Sequence, residues 1–319
     1  MINIQKNIPL APLTTFKIGG PAKYFVEVSS EDEILEALDF AKENNLEIFV
    51  LGGGSNILVS DEGFSGLIIR MLNTSYIIHN TSIECGSGVL LSQIVKEAAK
   101  NGLSGMEWAS GIPGTVGGAI RGNAGAPWGC MADNIESIKI LEMHNRKYKI
   151  LKINECGFSY RNSIFKKNKD LIIVSVVLKL QKEDKKKIED KIEEIVKLRG
   201  GKAPAEKSSG SFFKNPVVKD KKLINMFEKD TGVKIGENKN LYHFNNTEVI
   251  IPAAYLIEEV GLKGKKIGGA QVSEKHANFV VNVGNAKAQD IVMLSSLIKM
   301  KVRDELGVQL SEEIQYVGF

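Results

Sequence analysis

Between residues 208 and 216 the chain reads SSGSFFKNP, a serine set between a glycine and two phenylalanines, with Lys214 and Asn215 close behind. Ser211 there could be a hydrolase nucleophile, a phosphate ligand or neither. A serine nucleophile needs a neighbouring base, and that base needs its own orienting group. The chain has four histidines. His79 and His144 lie in strand-like stretches and His243 in a loop, while no serine sits in a G-x-S-x-G elbow. The hydrolase reading therefore lacks its partner residues.

Two glycine tracts are the other chemical feature, LGGGSN (51–56) and GIPGTVGGAIRGNAGAPWG (111–129). The first follows a strand, yet Ile57 stands where a dinucleotide fingerprint needs its third glycine, and a strand continues instead of a helix. The second lacks the Gly-Lys-Ser/Thr of a Walker loop. Glycines allow positive φ and let successive backbone N–H groups converge on an anion with no side chain in the way. A pyrophosphate lying between the two tracts would take donors from both.

These loops need elements to hold them. KYFVEV (23–28) alternates as a strand, Ser30 and Glu33 form a capping box, and Ile34, Leu35, Leu38 and Ala41 make the apolar stripe of a helix that ends near residue 45. EIFVL then enters the first glycine turn, and short strands follow through ILVSD, GFSGLIIRM, YIIHN and SIECGSG. LSQIVKEAAKNG reads as an amphipathic helix ended by Gly102. Strands return after the second tract, at SIKILEMHNRKYKILK and LIIVSVVLKLQK, and IEDKIEEIVKLRG (188–200) is a charged helix. Gly200, Gly201 and Pro204 mark a domain boundary. Beyond it come helices at LINMFEKDTG, AAYLIEEVG and AQDIVMLSSLIKMKVRDELG, a strand at HANFVVNVG, and the closing VQLSEEIQYVGF.

Composition narrows the class. At 319 residues, 43% hydrophobic, the chain can build two or three cores. A net charge of +4 is too mild to argue for nucleic acid, and the lysine run at 182–187 is laced with acids as on a solvated helix face. Cys85, Cys130 and Cys156 lie far apart with no C-x-x-C spacing, so no metal site or disulfide framework is implied. No stretch approaches the ~20 apolar residues of a membrane span, and MINIQKNIPLAPLT has no apolar leader core. The expectation is a soluble cytoplasmic monomer, without nucleic acid or membrane partners.

Taken in order, LGGGSNILVSDEGFSGLIIRM, GIPGTVGGAIRGNAGAPWG, YRNSIFK, GSFFKNP and GGAQVSEKHANFVVN resemble the UDP-N-acetylenolpyruvoylglucosamine reductase (UDP-N-acetylmuramate dehydrogenase) family, flavoenzymes of peptidoglycan precursor synthesis. The likeness runs from TTFKIGGPA to the last strand. It implies an α+β fold with an FAD-binding domain of the vanillyl-alcohol-oxidase/p-cresol-methylhydroxylase type over residues 1–199, in two α+β subdomains of about 1–72 and 73–199. A C-terminal α+β substrate-binding domain would span 200–319, with its last strand packing back on the FAD domain.

The resemblance assigns Gly52, Gly53, Gly54, Ser55 and Asn56 to a first FAD loop and Ile112, Pro113, Gly114, Thr115, Gly118, Asn123, Ala124 and Gly125 to a second, with Arg199 on the flavin side. The tracts hold neither histidine nor cysteine, so FAD is expected to be non-covalent. The implied reaction turns UDP-N-acetylglucosamine enolpyruvate into UDP-N-acetylmuramate with NADPH as electron source. Hydride passes from FAD N5 to the vinyl carbon, and an acid then protonates the α-carbon. The dianionic enolate between these steps needs cationic or hydrogen-bonding groups at its carboxylate.

Arg161 suits that carboxylate; the chain has six arginines against 36 lysines, and a lysine does not replace the planar fork. Ser211 matches the family's proton donor, which answers the missing histidine, since an enolate needs an acid and no base beside it. Glu312 and Glu313 stand side by side in the last strand and only one can face a site; the motif points to Glu313. Lys202, Asn215 and His276 match substrate-binding positions, with Lys202 suited to a diphosphate as a point charge. No tyrosine lies between Arg161 and Ser211, so the lid loop of the longer family form is missing, and 232–247, with Tyr242, is the expected cover. A small-molecule flavin oxidase would share the glycine tracts without GSFFKNP or SEEIQYVG. A non-catalytic flavin or nucleotide-sugar binder would have no use for Arg161, Ser211 and Glu313 together.

Overall fold

The first β/α unit forms as its sequence reads. Strand β1 (Gln5–Pro9) pairs antiparallel with β2 (Pro21–Val28), and helix α1 (Glu31–Glu43) leads to β3 (Ile48–Leu51). Ser30 Oγ accepts the Glu33 N–H at 3.2 Å, and the Glu33 carboxylate accepts the Ser29 N–H at 2.6 Å, closing the start of α1. Ile34, Ala37, Leu38 and Ala41 are its buried face. After β4 (Ile57–Val59), strand β5 (Phe64–Met71) inserts between β2 and β3, parallel to both, in the order β1-β2-β5-β3. This computed structural model describes residues 1–201, 203–235, 243–244 and 248–319.

Strands β6 (Tyr76–Ile78), β7 (Ser82–Gly86), β8 (Ile135–Glu142), β9 (Lys147–Lys152) and β10 (Leu171–Lys179) make an antiparallel sheet ordered β9-β8-β10-β7-β6. Helix α2 (Leu91–Lys100) buries Leu91, Ile94, Val95, Ala98 and Ala99, and Gly102 follows it at φ +63° as its reading required. The second glycine tract reads as loop, but Val116–Gly122 forms a helix, α3, opened by Thr115, whose Oγ1 accepts the Gly118 N–H at 3.3 Å. Glycine content hid this turn because intrinsic propensity is a weak prior, and packing of Val116, Ala119 and Ile120 overrides it. Helices α4 (Ile164–Lys167) and α5 (Lys185–Gly200) complete this part.

Strand β11 (Lys207–Ser211) belongs to a second antiparallel sheet with β12 (Lys266–Ile267), β13 (Ala270–Val272) and β14 (Phe279–Asn282), ordered β11-β14-β13-β12. Helices α6 (Lys221–Thr231), α7 (Ala253–Glu259) and α8 (Ala288–Leu306) accompany it. The last strand, β15 (Gln315–Val317), pairs parallel with β4. Both Asp61 carboxylate oxygens cap α8, accepting the Ala288 and Gln289 N–H groups at 2.8 and 3.1 Å.

By contact the chain divides into two units. The first is Met1–Pro9, Pro21–Gly54 and Phe64–Gly201; the second is Leu10–Gly20, Ser55–Gly63 and Lys202–Phe319. The first unit has two cores, one around α1 and one around α2 and the five-stranded sheet. The second has one, where Phe16 and Leu58 join Phe212, Phe213, Leu256, Ile291 and Ile298. Among the described residues no helix is long and apolar enough to cross a membrane.

Candidate functional site

In the first unit the two glycine tracts meet. A Cβ on Gly53 would lie 2.6 Å from Gly114 Cα and 3.3 Å from the Thr115 nitrogen, so backbone rests on backbone there and no larger residue fits. Gly52 abuts the Thr115 hydroxyl in the same way. The second tract is held in turn by Val116 and Gly117 N–H groups donating to Val89 and Ser87 carbonyls at 2.8 and 2.9 Å. Gly52–Gly54 and the 112–125 residues thus come together as one backbone-lined cradle, the arrangement a pyrophosphate requires.

Arg161 lies against the far end of that tract. Its Nη2 donates to the Gly125 carbonyl at 2.8 Å and its Nη1 to Asn123 at 3.5 Å, while the guanidinium sits 5.3 Å over the Tyr160 ring. Its backbone is left-handed at φ +54°, a costly state for a non-glycine residue. The surroundings enforce it: Lys166 Nζ donates to the Arg161 carbonyl at 3.1 Å, and the Ser163 hydroxyl to Arg121 at 2.7 Å. Asn123 Nδ2 donates to the Ser159 carbonyl at 3.0 Å and its Oδ1 accepts the Ala132 N–H at 3.1 Å. The Asn123 side chain therefore works as a stitch between the YRNS loop and the tract.

Arg199 ends α5 with its Nη2 on the Trp108 carbonyl at 3.0 Å. Burial, and then the positive charge of Arg161, hold its guanidinium below the usual arginine range. Its Nε is buried without a protein acceptor among the described residues. Two neighbouring guanidiniums, one with an orphaned donor, suit an anionic ligand.

The second unit holds the other assigned residues. Gly210, at φ +79°, makes a bulge in β11, so that Ser208 pairs with Val281 and Ser211 with Phe279. Phe212 and Phe213 behind Ser211 are buried and meet edge to face at 5.0 Å. Two segments clamp their backbone. Asn278 bonds Phe213 in both directions, at 2.9 and 2.8 Å, and accepts the Phe212 N–H on its carbonyl at 2.7 Å. From the C-terminal segment, the Glu313 N–H donates to the Phe212 carbonyl at 2.8 Å, and the Lys214 N–H donates to the Ser311 carbonyl at 2.9 Å. Ser211 and Glu313 thus sit on neighbouring, hydrogen-bonded segments.

Asn56 completes that end: its Nδ2 donates to the Glu313 carbonyl at 3.2 Å, and its carbonyl accepts the Gln315 N–H at 3.0 Å. The first glycine loop is therefore shared, with Gly52–Gly54 in one unit and Ser55 and Asn56 in the other. Asn215 Oδ1 accepts the Ala253 N–H at 3.0 Å, opening α7, and His276 Nδ1 accepts the Asn278 N–H at 3.2 Å. Lys202 and Tyr242 lie outside the described residues, as does most of the expected cover. Sequence reasoning passed over Asn278; an amide between the apolar Ala277 and Phe279 of a strand motif was the available signal. Among the described residues no cluster of His, Cys, Asp and Glu could hold a metal ion.

Comparisons with known proteins agree with this picture. Residues 203–317 match the UDP-N-acetylenolpyruvoylglucosamine reductase C-terminal domain, and residues 22–145 match an FAD binding domain. The chain is 38% identical over 318 residues to the UDP-N-acetylenolpyruvoylglucosamine reductase of Carboxydothermus hydrogenoformans, covering 99% of this chain and 94% of that one. Against the Clostridium novyi protein of the same name it is 37% identical over 318 residues, covering 99% and 92%. The crystal structure of the Thermus caldophilus reductase is similar at a TM-score of 0.77 and 32% identity, over 99% of this chain and 100% of that one.

Proposed function

The chain belongs to the UDP-N-acetylenolpyruvoylglucosamine reductase family, FAD-dependent oxidoreductases of peptidoglycan precursor synthesis, and from that premise we propose that it reduces the enolpyruvyl ether of UDP-N-acetylglucosamine to the lactyl ether with NADPH. When bound, FAD would supply two-electron hydride chemistry between NADPH and the vinyl carbon of the substrate. The backbone cradle of Gly52–Gly54 and Gly114–Gly118 would hold the FAD pyrophosphate, with no covalent tether, and Arg199 would offer its orphaned Nε on the flavin side.

Arg161 binds the substrate carboxylate and stabilises the negative charge that grows there, its fork pre-set by the bonds that hold its strained backbone. Ser211 then gives its hydroxyl proton to the α-carbon and regains one from water. Glu313 acts beside it, while Lys202, Asn215 and His276 bind the sugar nucleotide. The observation that carries the reading is the clamp that puts Ser211 and Glu313 on adjacent segments, from positions 102 residues apart in the chain (313 − 211).

Purified protein should be yellow and release FAD on denaturation. In anaerobic stopped-flow, Ser211→Ala should leave flavin reduction by NADPH intact and slow the substrate-driven reoxidation by about 10²–10⁴-fold, the usual worth of a positioned acid. Equal loss in both half-reactions would overturn the role given to Ser211.

A further inference from the structure

The last segment carries two adjacent glutamates, Glu312 and Glu313, and a slip of one residue would exchange them. The backbone pairing of residues 311–313 is short. Residues 311–313 touch the Ser211 segment through one isolated bridge, Phe213 to Glu312, and the two backbone bonds already described. Regular pairing with β4 begins only at Gln315. Successive side chains of an extended segment point to opposite sides, so Glu312, Ile314 and Tyr316 share one face and Glu313 takes the other.

The Glu312 face is anchored to α8 at three points. Ile314 is buried in the core that contains Leu294 and Ile298. Tyr316 lies beside Ser295 and Glu312. Lys299 Nζ meets Glu312 Oε1 at 2.5 Å, both side chains being mostly shielded from solvent, at 30% and 20% exposed. Ser295 and Lys299 are four residues apart and so lie on one face of the helix. Burial of Ile314 and the strand pairing from Gln315 onward also oppose a slip; the ion pair is the anchor that grips the Glu312 carboxylate itself, immediately beside Glu313.

We propose that Lys299 is a positioning residue of the reductase: by capturing Glu312 it helps to fix the register and orientation of the C-terminal segment and so presents Glu313, rather than Glu312, beside Ser211. The inference rests on the catalytic assignment of Glu313 under the proposed function. A lysine on α8 thereby acts on the reaction through a carboxylate that takes no part in it.

The test uses the FAD-loaded full chain in anaerobic half-reactions and steady state. Lys299→Met should lower kcat and the substrate-driven half-reaction by about 10–100-fold, the scale of an ångström misplacement, with KM and NADPH-driven flavin reduction changed by less than about threefold. Lys299→Arg, and the exchanged pair Lys299→Glu with Glu312→Lys, should recover the parent rate to within about threefold, because each restores the ion pair. A Lys299→Met enzyme that turns over like the parent would overturn the proposal, as would an exchanged pair that melts like the parent yet stays as slow as the single variant. Glu313→Gln separates the two readings. If it turns over normally, the assignment of Glu313 fails; if it is slow while Lys299→Met is not, only the role of Lys299 fails.

Discussion

The two units build their candidate sites from different materials. In the first, the candidate surface is backbone: glycine tracts pressed together until no Cβ fits at Gly53, with Arg161 laid against the Gly125 carbonyl. In the second, the groups proposed to act are the side chains of Ser211 and Glu313, and amides from elsewhere in the chain hold the backbone of their segments in place. Where backbone meets backbone, as at Gly53, such a site is intolerant by sterics, because an added carbon collides with atoms that cannot easily move aside. A side-chain site held by amides fails by lost hydrogen bonds, and its damage is to stability and register rather than to shape.

Variants that keep or blur this contrast test it. The largest effect is expected from Gly53→Ala. Its Cβ would meet Gly114 Cα and the Thr115 nitrogen, so the tracts must part, at a cost of about 3 kcal/mol. Titration of the apoprotein with FAD should show affinity reduced by roughly two orders of magnitude, while the substrate unit melts as before. Full FAD affinity in Gly53→Ala would break the comparison at its first term.

Asn278→Ala comes next. It leaves the Phe213 N–H and carbonyl buried without partners, which should cost about 2 kcal/mol in urea denaturation. The variant should still purify with bound FAD; a colourless but undiminished fold would show that the second unit's clamp serves the flavin directly.

The smallest effect is a pH dependence confined to the first unit, which holds all three cysteines. Burial pushes the Cys85 thiol up to about 12 from its ordinary 9.0. Its contribution is constant below about pH 8.5–9, where both states keep the proton. Above that the unfolded chain ionises first, and stability falls with rising pH until the folded thiol also titrates. Between pH 8 and 10 the loss should be about 1.4 kcal/mol. Comparing the melting of Cys85→Ala with the parent over that range should show a shallower slope in the variant; identical slopes would remove Cys85 as the cause.

Much of the fold was legible because local rules agreed with the tertiary outcome. Ser30 and Glu33 announce α1, and Gly102 announces the end of α2, since caps are short-range chemistry. Helix α3 was not legible, because its glycines argue against a helix that only packing and the Thr115 cap secure. The N-terminal cap of α8 was hidden for another reason: its cap, Asp61, is 227 residues away from Ala288. Asn56 shows the same limit at the site, where a residue assigned to the flavin loop spends its side-chain amide on Glu313.

From the sequence alone came the glycine tracts, the scarce arginines, and a serine without a histidine, and with them the kind of chemistry the chain can do. These are composition and spacing, which a linear string carries in full. Which glycine touches which, which way Arg161 is held, and which of two adjacent glutamates pairs with Lys299 were decided by tertiary structure. Each of those is a contact between residues distant in the chain, and its geometry is set by cores and clamps that no local pattern encodes.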